Sequence, residues 1–296
     1  METKRENYDS LFAELAQEAP RQPEERQPVD KEAWAAAQKA QREELYALAD
    51  QMADRALSDP AILRQYIETQ ARLGGESTTN TLILMEKYPE ASHTRTFEEW
   101  HRMGRSIKSG EQAISLLSRG REYVREDGTK GAYMQTRKVF DVRQTTGRAL
   151  RQQPVHATFN RIKALMTDTP VPVRLSDAVP GGVGAQYNAE KGVVEVARGL
   201  DGNALFFSVA RELARANENL DTFRADCVAN TLCCRYGMEP RFPDRIHEGV
   251  SVLEPAEKRQ LLSNVRATAW EMEKRIDRNL EQMVKTQEKR QDAPAR

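Results

Sequence analysis

Apolar residues recur at helical spacing along most of the chain and alternate at strand spacing only in short stretches. From Asp30, KEAWAAAQKAQREELYALADQMADRAL is dense in good helix formers. Ser58 or Asp59 caps a second helix, with Pro60 in its first turn and Ile62, Leu63, Tyr66 and Ile67 at helical spacing, ended by Gly74-Gly75. A third helix, STTNTLILMEKYP, stops at Pro89. A β-rich stretch follows: Ala113 to Leu117 reads as a strand, Glu126-Asp127-Gly128-Thr129 as a turn, and YMQTRKVFDV, from Tyr133, as a second strand. Residues 144–155 are polar and show no periodic apolar face, so a domain boundary is placed there.

The second half predicts a helix (TFNRIKALMTD), a short strand from Val171 to Leu175, and a hairpin of Gly184–Tyr187 and Val193–Ala197 turning at Asn188 to Gly192. Helices ALFFSVARELARAN and TFRADCVANTLCCRYG follow, the second ended by Gly237. From Pro255 to about Lys289 runs one long charged helix whose apolar stripe is Leu261, Val265, Ala269, Met272 and Ile276. Residues 1–29 read as a flexible head, with Tyr8, Leu11, Phe12 and Leu15 on one short helix and a Pro- and Gln-rich linker after it. The expected segments are therefore 1–29, 30–148, 155–254 and 255–296, and the fold class is α+β.

Composition narrows the function classes. The 45 basic and 45 acidic residues balance, so a nucleic-acid surface has to be local. No apolar run approaches the roughly 18 residues of a membrane span, and the first residues lack the apolar core of a signal peptide. Cys227, Cys233 and Cys234 are the only cysteines, an odd count without a CxxC pair, which fits a reduced cytoplasm. His93, His101, His156 and His247 have no metal-ligand spacing. No P-loop, dinucleotide fingerprint or nucleophile elbow occurs, and no cofactor is expected.

Between His93 and Arg148 basic residues exceed acidic ones by about five. Arg95, Arg102, Arg105, Lys108, Arg119, Arg121, Lys130, Arg137, Lys138 and Arg143 are candidates to follow a phosphate backbone, with Arg105, Lys108, Arg137 and Lys138 preferred. Trp100, Tyr123, Tyr133 and Phe140 are interleaved with them; exposed rings would stack on unpaired bases, whereas Trp100 and Phe140, among apolar neighbours, read as core. Gly104 and Gly110 bracket a tight segment.

The ordered motifs of this region carry a resemblance. Asn80, Leu82 and Ile83, then Trp100, then Gly104, Ile107, Lys108, Gly110, Glu111 and Ile114, and finally KVFDVRQTTG resemble the N-terminal domain of the ArdC antirestriction family. The resemblance implies a domain that binds single-stranded DNA. Residues 183–237 resemble that family's second half, a zincin-like metallopeptidase domain of the ImmA/IrrE sort, in which a hairpin precedes a His-Glu-x-x-His helix and a later helix carries an acidic ligand. In this sequence the registered positions are Arg211-Glu212-Leu213-Ala214-Arg215 and Arg224-Ala225-Asp226.

Those substitutions decide the chemistry. Residues four apart share a helix face, so two imidazoles can hold Zn²⁺ while the Glu works on its bound water. A guanidinium has no lone pair to donate. Zinc is therefore expected to be lost, and Arg211, Glu212, Arg215, Arg224 and Asp226 are vestigial. Two replacements are open: an ion-pair cluster of Glu212 and Asp226 with the arginines, or an anion site with two Arg forks. The expected function is non-catalytic binding of nucleic acid, single-stranded DNA foremost, in a mobile element or phage, with DNA protection as the role the resemblance implies. Two rivals stand beside it. One is a pseudo-enzyme that binds a host or element-encoded protein, for which the long charged helix is suited. The other is a hydrolase with a non-standard metal at Glu212.

Overall fold

The architecture is that of a computed structural model, which describes residues 30–125, 127–150, 154–218 and 220–291. The head and linker expected over residues 1–29 lie outside the described residues. Two units are distinguished, residues 1–40 and residues 41–296. The described part of the first starts at Asp30, whose carboxylate accepts from the backbone N–H groups of Glu32 and Ala33 at 3.0 and 3.1 Å.

Helix α1 spans Lys31–Ala56, and its buried residues begin at Leu45. Helix α2 is Pro60–Leu73, and Asp59 rather than Ser58 caps it, accepting from Ala61 N at 2.8 Å. Ser77 caps α3, Thr78–Lys87. Then come β1 (Thr94–Arg95), α4 (Phe97–Arg102), β2 (Arg105–Ile107), β3 (Ile114–Val124), β4 (Lys130–Asp141) and β5 (Thr145–Gly147). The second half holds α5 (Thr158–Met166), β6 (Val173–Leu175), β7 (Ala185–Asn188), β8 (Val193–Val196), α6 (Gly202–Glu218), α7 (Thr222–Tyr236), α8 (Glu248–Ser251) and α9 (Pro255–Gln291). The fold is α+β, with one long helix at its C-terminal end.

Strand order is β1-β4-β3 in an antiparallel sheet, β2-β5 in a two-stranded ribbon, and β6-β8-β7 in a mixed sheet where β6 runs parallel to β8. The polar stretch around residues 144–155 contains β5, which pairs with β2. Its closeness depends on Gly147: with φ +128°, a Cβ there would lie 2.5 Å from the Gly104 carbonyl oxygen.

The stripe of α9 turns inward as patterned: Leu261, Val265, Ala269, Met272 and Ile276 are all buried, and α9 packs on α3, α5 and α7. Lys258, near its start, is itself buried and donates to Asp54 of α1 at 2.7 Å and to the Ser251 carbonyl at 2.6 Å. The long helix is thus scaffold along its apolar face. Among the described residues, no helix is long and apolar enough to cross a membrane.

The three cysteines lie on α7 as free thiols. Burial pushes all three up: Cys233 to about 12, Cys234 to about 11, and Cys227 higher still. The thiolate is the reactive form. In the native protein at pH 8 a thiol reagent is expected to modify Cys234 slowly and Cys227 and Cys233 only on unfolding. Time-resolved mass spectrometry of labelling checks this, and equal rates at Cys227 and Cys234 would contradict it.

Candidate nucleic-acid interface and the HExxH slot

The motif residues of the first half form its joints. Asn80 on α3 grips the edge of β3 with both ends of its amide: Nδ2 donates to the Leu117 carbonyl and Oδ1 accepts from Leu117 N, each at 2.9 Å. Trp100 is fully buried and its indole N–H donates to the Phe140 carbonyl at 2.8 Å, tying α4 to β4. Asp141, also fully buried, accepts from the backbone N–H of Ser92, His93 and Arg143. Gln144 Oε1 accepts from Asp141 N at 2.8 Å, and its amide N–H donates to Glu111 and the Gln112 carbonyl, both at 2.9 Å. Each of these buried polar groups is satisfied by a group distant in sequence.

The candidate cations divide by what holds them. Arg105 is taken up within the ribbon, donating to Thr145 Oγ1 at 2.7 Å and to the Thr145, Gly147 and Arg148 carbonyls, with its guanidinium over the Trp100 ring. Lys108 donates to the Arg143 carbonyl at 2.5 Å. Arg137 pairs with Glu76 at 2.7 Å, Arg143 with Glu90, and Lys138 donates to Ser115 Oγ at 2.7 Å. Arg95, Arg102, Arg119, Arg121 and Lys130 have exposed side chains.

The outer half of the β3–β4 hairpin is an exposed arm. Its register shifts between Arg119 and Glu122, a bulge that holds Gly120 and Arg121. Cross-strand partners share a face. Arg119, opposite Met134, therefore lies on the same face as Lys130 and Lys138, while Tyr123, opposite Gly131, lies on the other with Tyr133 and Arg137. The two tyrosine rings meet at 4.6 Å, tilted by 40°, and Tyr133 is 62% exposed. Gly131 makes room for this pair: a Cβ there would stand 2.5 Å from the Tyr123 ring. Sequence reading named both tyrosines but missed that glycine, as well as Phe97, whose exposed ring lies parallel to that of His101.

In the second half, the HExxH slot lies on α6 beneath the free edge of β7. Two of the outward backbone groups of that edge, Ala185 C=O and Tyr187 N–H, are met by side chains of the slot, since Gln186 pairs toward β8. Glu212 is 1% exposed. Its Oε2 accepts from Tyr187 N at 2.8 Å and from Arg215 at 3.3 Å, and its Oε1 from Arg211 Nε at 2.8 Å. Arg211 also reaches the Ala185 carbonyl at 3.4 Å and faces Asp226 at 3.9 Å. Burial holds the Asp226 carboxyl above its usual range, Arg211 opposes this, and the Glu212 charge adds to it. Arg224 turns away to Asp221 at 3.3 Å. The slot is an ion-pair cluster, and its acid is occupied on both oxygens.

No protein-family model matches the sequence, and no curated protein matches it. Among solved structures, the metal-free antirestriction ArdC protein from the R388 plasmid superposes with a TM-score of 0.51 at 14% identity, over 79% of this chain and 98% of that one. The chain has the ArdC fold. The Mn(II)-bound structure of the same plasmid protein superposes less closely, with a TM-score of 0.49 at 16% identity over 74% and 98% of the two chains. A divalent cation does not fit the Arg211–Arg215 segment as this sequence fills it. Both four-apart positions are guanidinium groups, the carboxylate between them is occupied by three N–H donors, and among the described residues no three His, Cys, Asp or Glu side chains converge to hold an ion.

Proposed function

We propose that this protein binds single-stranded DNA without catalysing a reaction on it, and that it serves DNA protection in a mobile element, the role carried by the name of its antirestriction fold neighbour. The observation that carries the reading is the β3–β4 arm, which sets exposed Arg119 and Lys130 on one face, the paired rings of half-buried Tyr123 and exposed Tyr133 on the other, and exposed Arg121 in the bulge. Cations neutralise phosphates whatever the sequence, and rings offer a π-face to any unpaired base. The non-catalytic half of the proposal rests on Glu212, whose carboxylate is spent on Tyr187 N and two arginines. The rival reading as a protein-binding pseudo-enzyme leaned on the long helix, whose apolar stripe is used internally.

Fluorescence anisotropy of a labelled single strand and the matching duplex, across a salt series, tests this. The strand is expected to bind more tightly than the duplex and to weaken with salt. Arg119→Ala/Arg121→Ala/Lys130→Ala is expected to flatten the slope of log K against log salt by about 2, since each phosphate lost on a single strand removes about 0.7. No binding at low salt would overturn the proposal and turn attention to a protein partner.

A further inference from the structure

The most exposed aromatic pair outside the arm lies on α4. Phe97 opens that six-residue helix and is 55% exposed, and His101, one turn on, is exposed as well. Their rings are parallel within 2°, with centroids 6.4 Å apart. The helix that carries them is held firmly. Thr96 and Glu99 form a reciprocal capping box at its start, and Trp100, on a neighbouring face, is buried and bonded to β4. A large apolar ring at the first position of a short helix gains little by staying in water. An i,i+4 contact with histidine returns only a few tenths of a kcal/mol.

Cations outnumber acids near the pair, although exposed Glu98 lies on the same helix and Arg102 donates to its backbone carbonyl at 3.4 Å. Arg95 on β1 and Arg102 at the end of α4 are both exposed. Arg148 is exposed too, and its backbone N–H donates at 3.3 Å to the carbonyl of Gly104, which follows the helix. Of the two acids on the helix, Glu99 is spent on the Thr96 backbone N–H at 2.8 Å, which leaves Glu98. Parallel rings on a capped helix, with exposed Arg95, Arg102 and Arg148 on the adjoining segments, fit an anionic chain that carries flat apolar groups, which is the chemistry of an unpaired nucleic-acid strand.

We infer that Phe97 and His101 form a base-stacking platform for single-stranded DNA, with Arg95, Arg102 and Arg148 receiving the flanking phosphates. The inference rests on the strand-binding reading above and gives it a second site at the root of the arm, apart from Tyr123 and Tyr133. The platform reads stacking alone, so it tolerates any base and fails for a backbone without bases.

The test uses the full chain, a labelled oligothymidylate, and a sugar-phosphate strand of equal length whose central nucleotides are abasic. The wild-type protein is expected to prefer the oligothymidylate. Phe97→Ala/His101→Ala is expected to lose about tenfold in affinity for it, in the range of one stacked base. The same variant is expected to hold the abasic strand as the wild type does. Phe97→Trp keeps a ring and is expected to retain binding, which separates loss of stacking from loss of fold. If the double variant binds oligothymidylate as tightly as the wild type, or the wild type does not distinguish the two strands, the platform is overturned while strand binding stands. If the wild type binds neither strand, the strand-binding proposal falls and the platform with it.

Discussion

Glu212→Ala is expected to destabilise the protein by about 3 to 5 kcal/mol, the cost of breaking a buried charge pair from one side. The side chain is 1% exposed and receives three N–H donors. Removing it strands the Tyr187 amide at the edge of β7 and leaves Arg211, 23% exposed, with the Ala185 carbonyl at 3.4 Å and Asp226 at 3.9 Å. Arg215 is 41% exposed and can turn to water, so its loss of partner adds little. Glu212→Gln keeps an acceptor for Tyr187 N and loses only the charge, for an expected cost of about 1 to 2 kcal/mol. Arg215→Ala should cost less than about 1 kcal/mol. Urea unfolding of the three variants gives the order, and hydrogen exchange at the Tyr187 amide reports the edge directly. An alanine variant within 1 kcal/mol of the wild type would show that the carboxylate does not bolt β7 to α6. The expected order also gives Glu212 a structural role that needs no metal. Arg211 and Glu212 occupy two of the outward backbone groups of an edge strand, which would otherwise be open to pairing with another chain.

What could be read from the sequence follows from how each feature is encoded. The helices carrying Leu63, Tyr66 and Ile67, or Leu261 through Ile276, announce themselves by a period of 3.6 over several turns. Strands β2 and β5 are three residues each, too short to show alternation, and what joins them is the backbone approach that Gly104 and Gly147 permit. Past Leu117, β3 continues through SRGREYV, where both faces of the arm are open to water and no apolar residues mark a buried side. The pair Arg211 and Arg215 on α6 was legible because a spacing of four puts both on one helix face. The partner that fixes Glu212 was not: a backbone N–H 25 residues away leaves no mark on residue identity. The same limit applies to the basic region. Arg137 reads as a phosphate contact until Glu76, 61 residues earlier, is seen beside it. Phe97 escaped notice because a ring at the start of a six-residue helix has no periodic neighbours.

The second large effect is a loss of stability as pH rises through neutrality, and it comes from Glu273. This residue of α9 faces α7, with Arg235 at 3.9 Å and Tyr236 donating to its backbone carbonyl at 3.3 Å and to Asp277 at 2.8 Å. Its Oε2 is buried without a hydrogen-bond donor. Burial raises the carboxyl to about 7; Arg235 and Arg266 oppose the rise and Asp277 adds to it. In the unfolded chain the same group titrates at about 4.3. Between those values the folded state holds the extra proton, so the contribution is complete below about 4.3, declines as pH rises, and is gone above about 7. The full span is about 4 kcal/mol, at 1.36 kcal/mol per pKa unit. Other carboxylates titrate over the same acidic range, so the comparison is with Glu273→Gln, which cannot ionise. At pH 8 the variant is expected to be more stable than the wild type by about 1 to 3 kcal/mol, the lower figure reflecting the attraction to Arg235 that ionised Glu273 retains. The gap should narrow to about 1 kcal/mol at pH 5 and close below about pH 4. Chemical denaturation at pH 5, 6.5 and 8 measures it. A gap that does not change with pH would mean that Glu273 is already ionised in the folded protein, with Arg235 offsetting its desolvation.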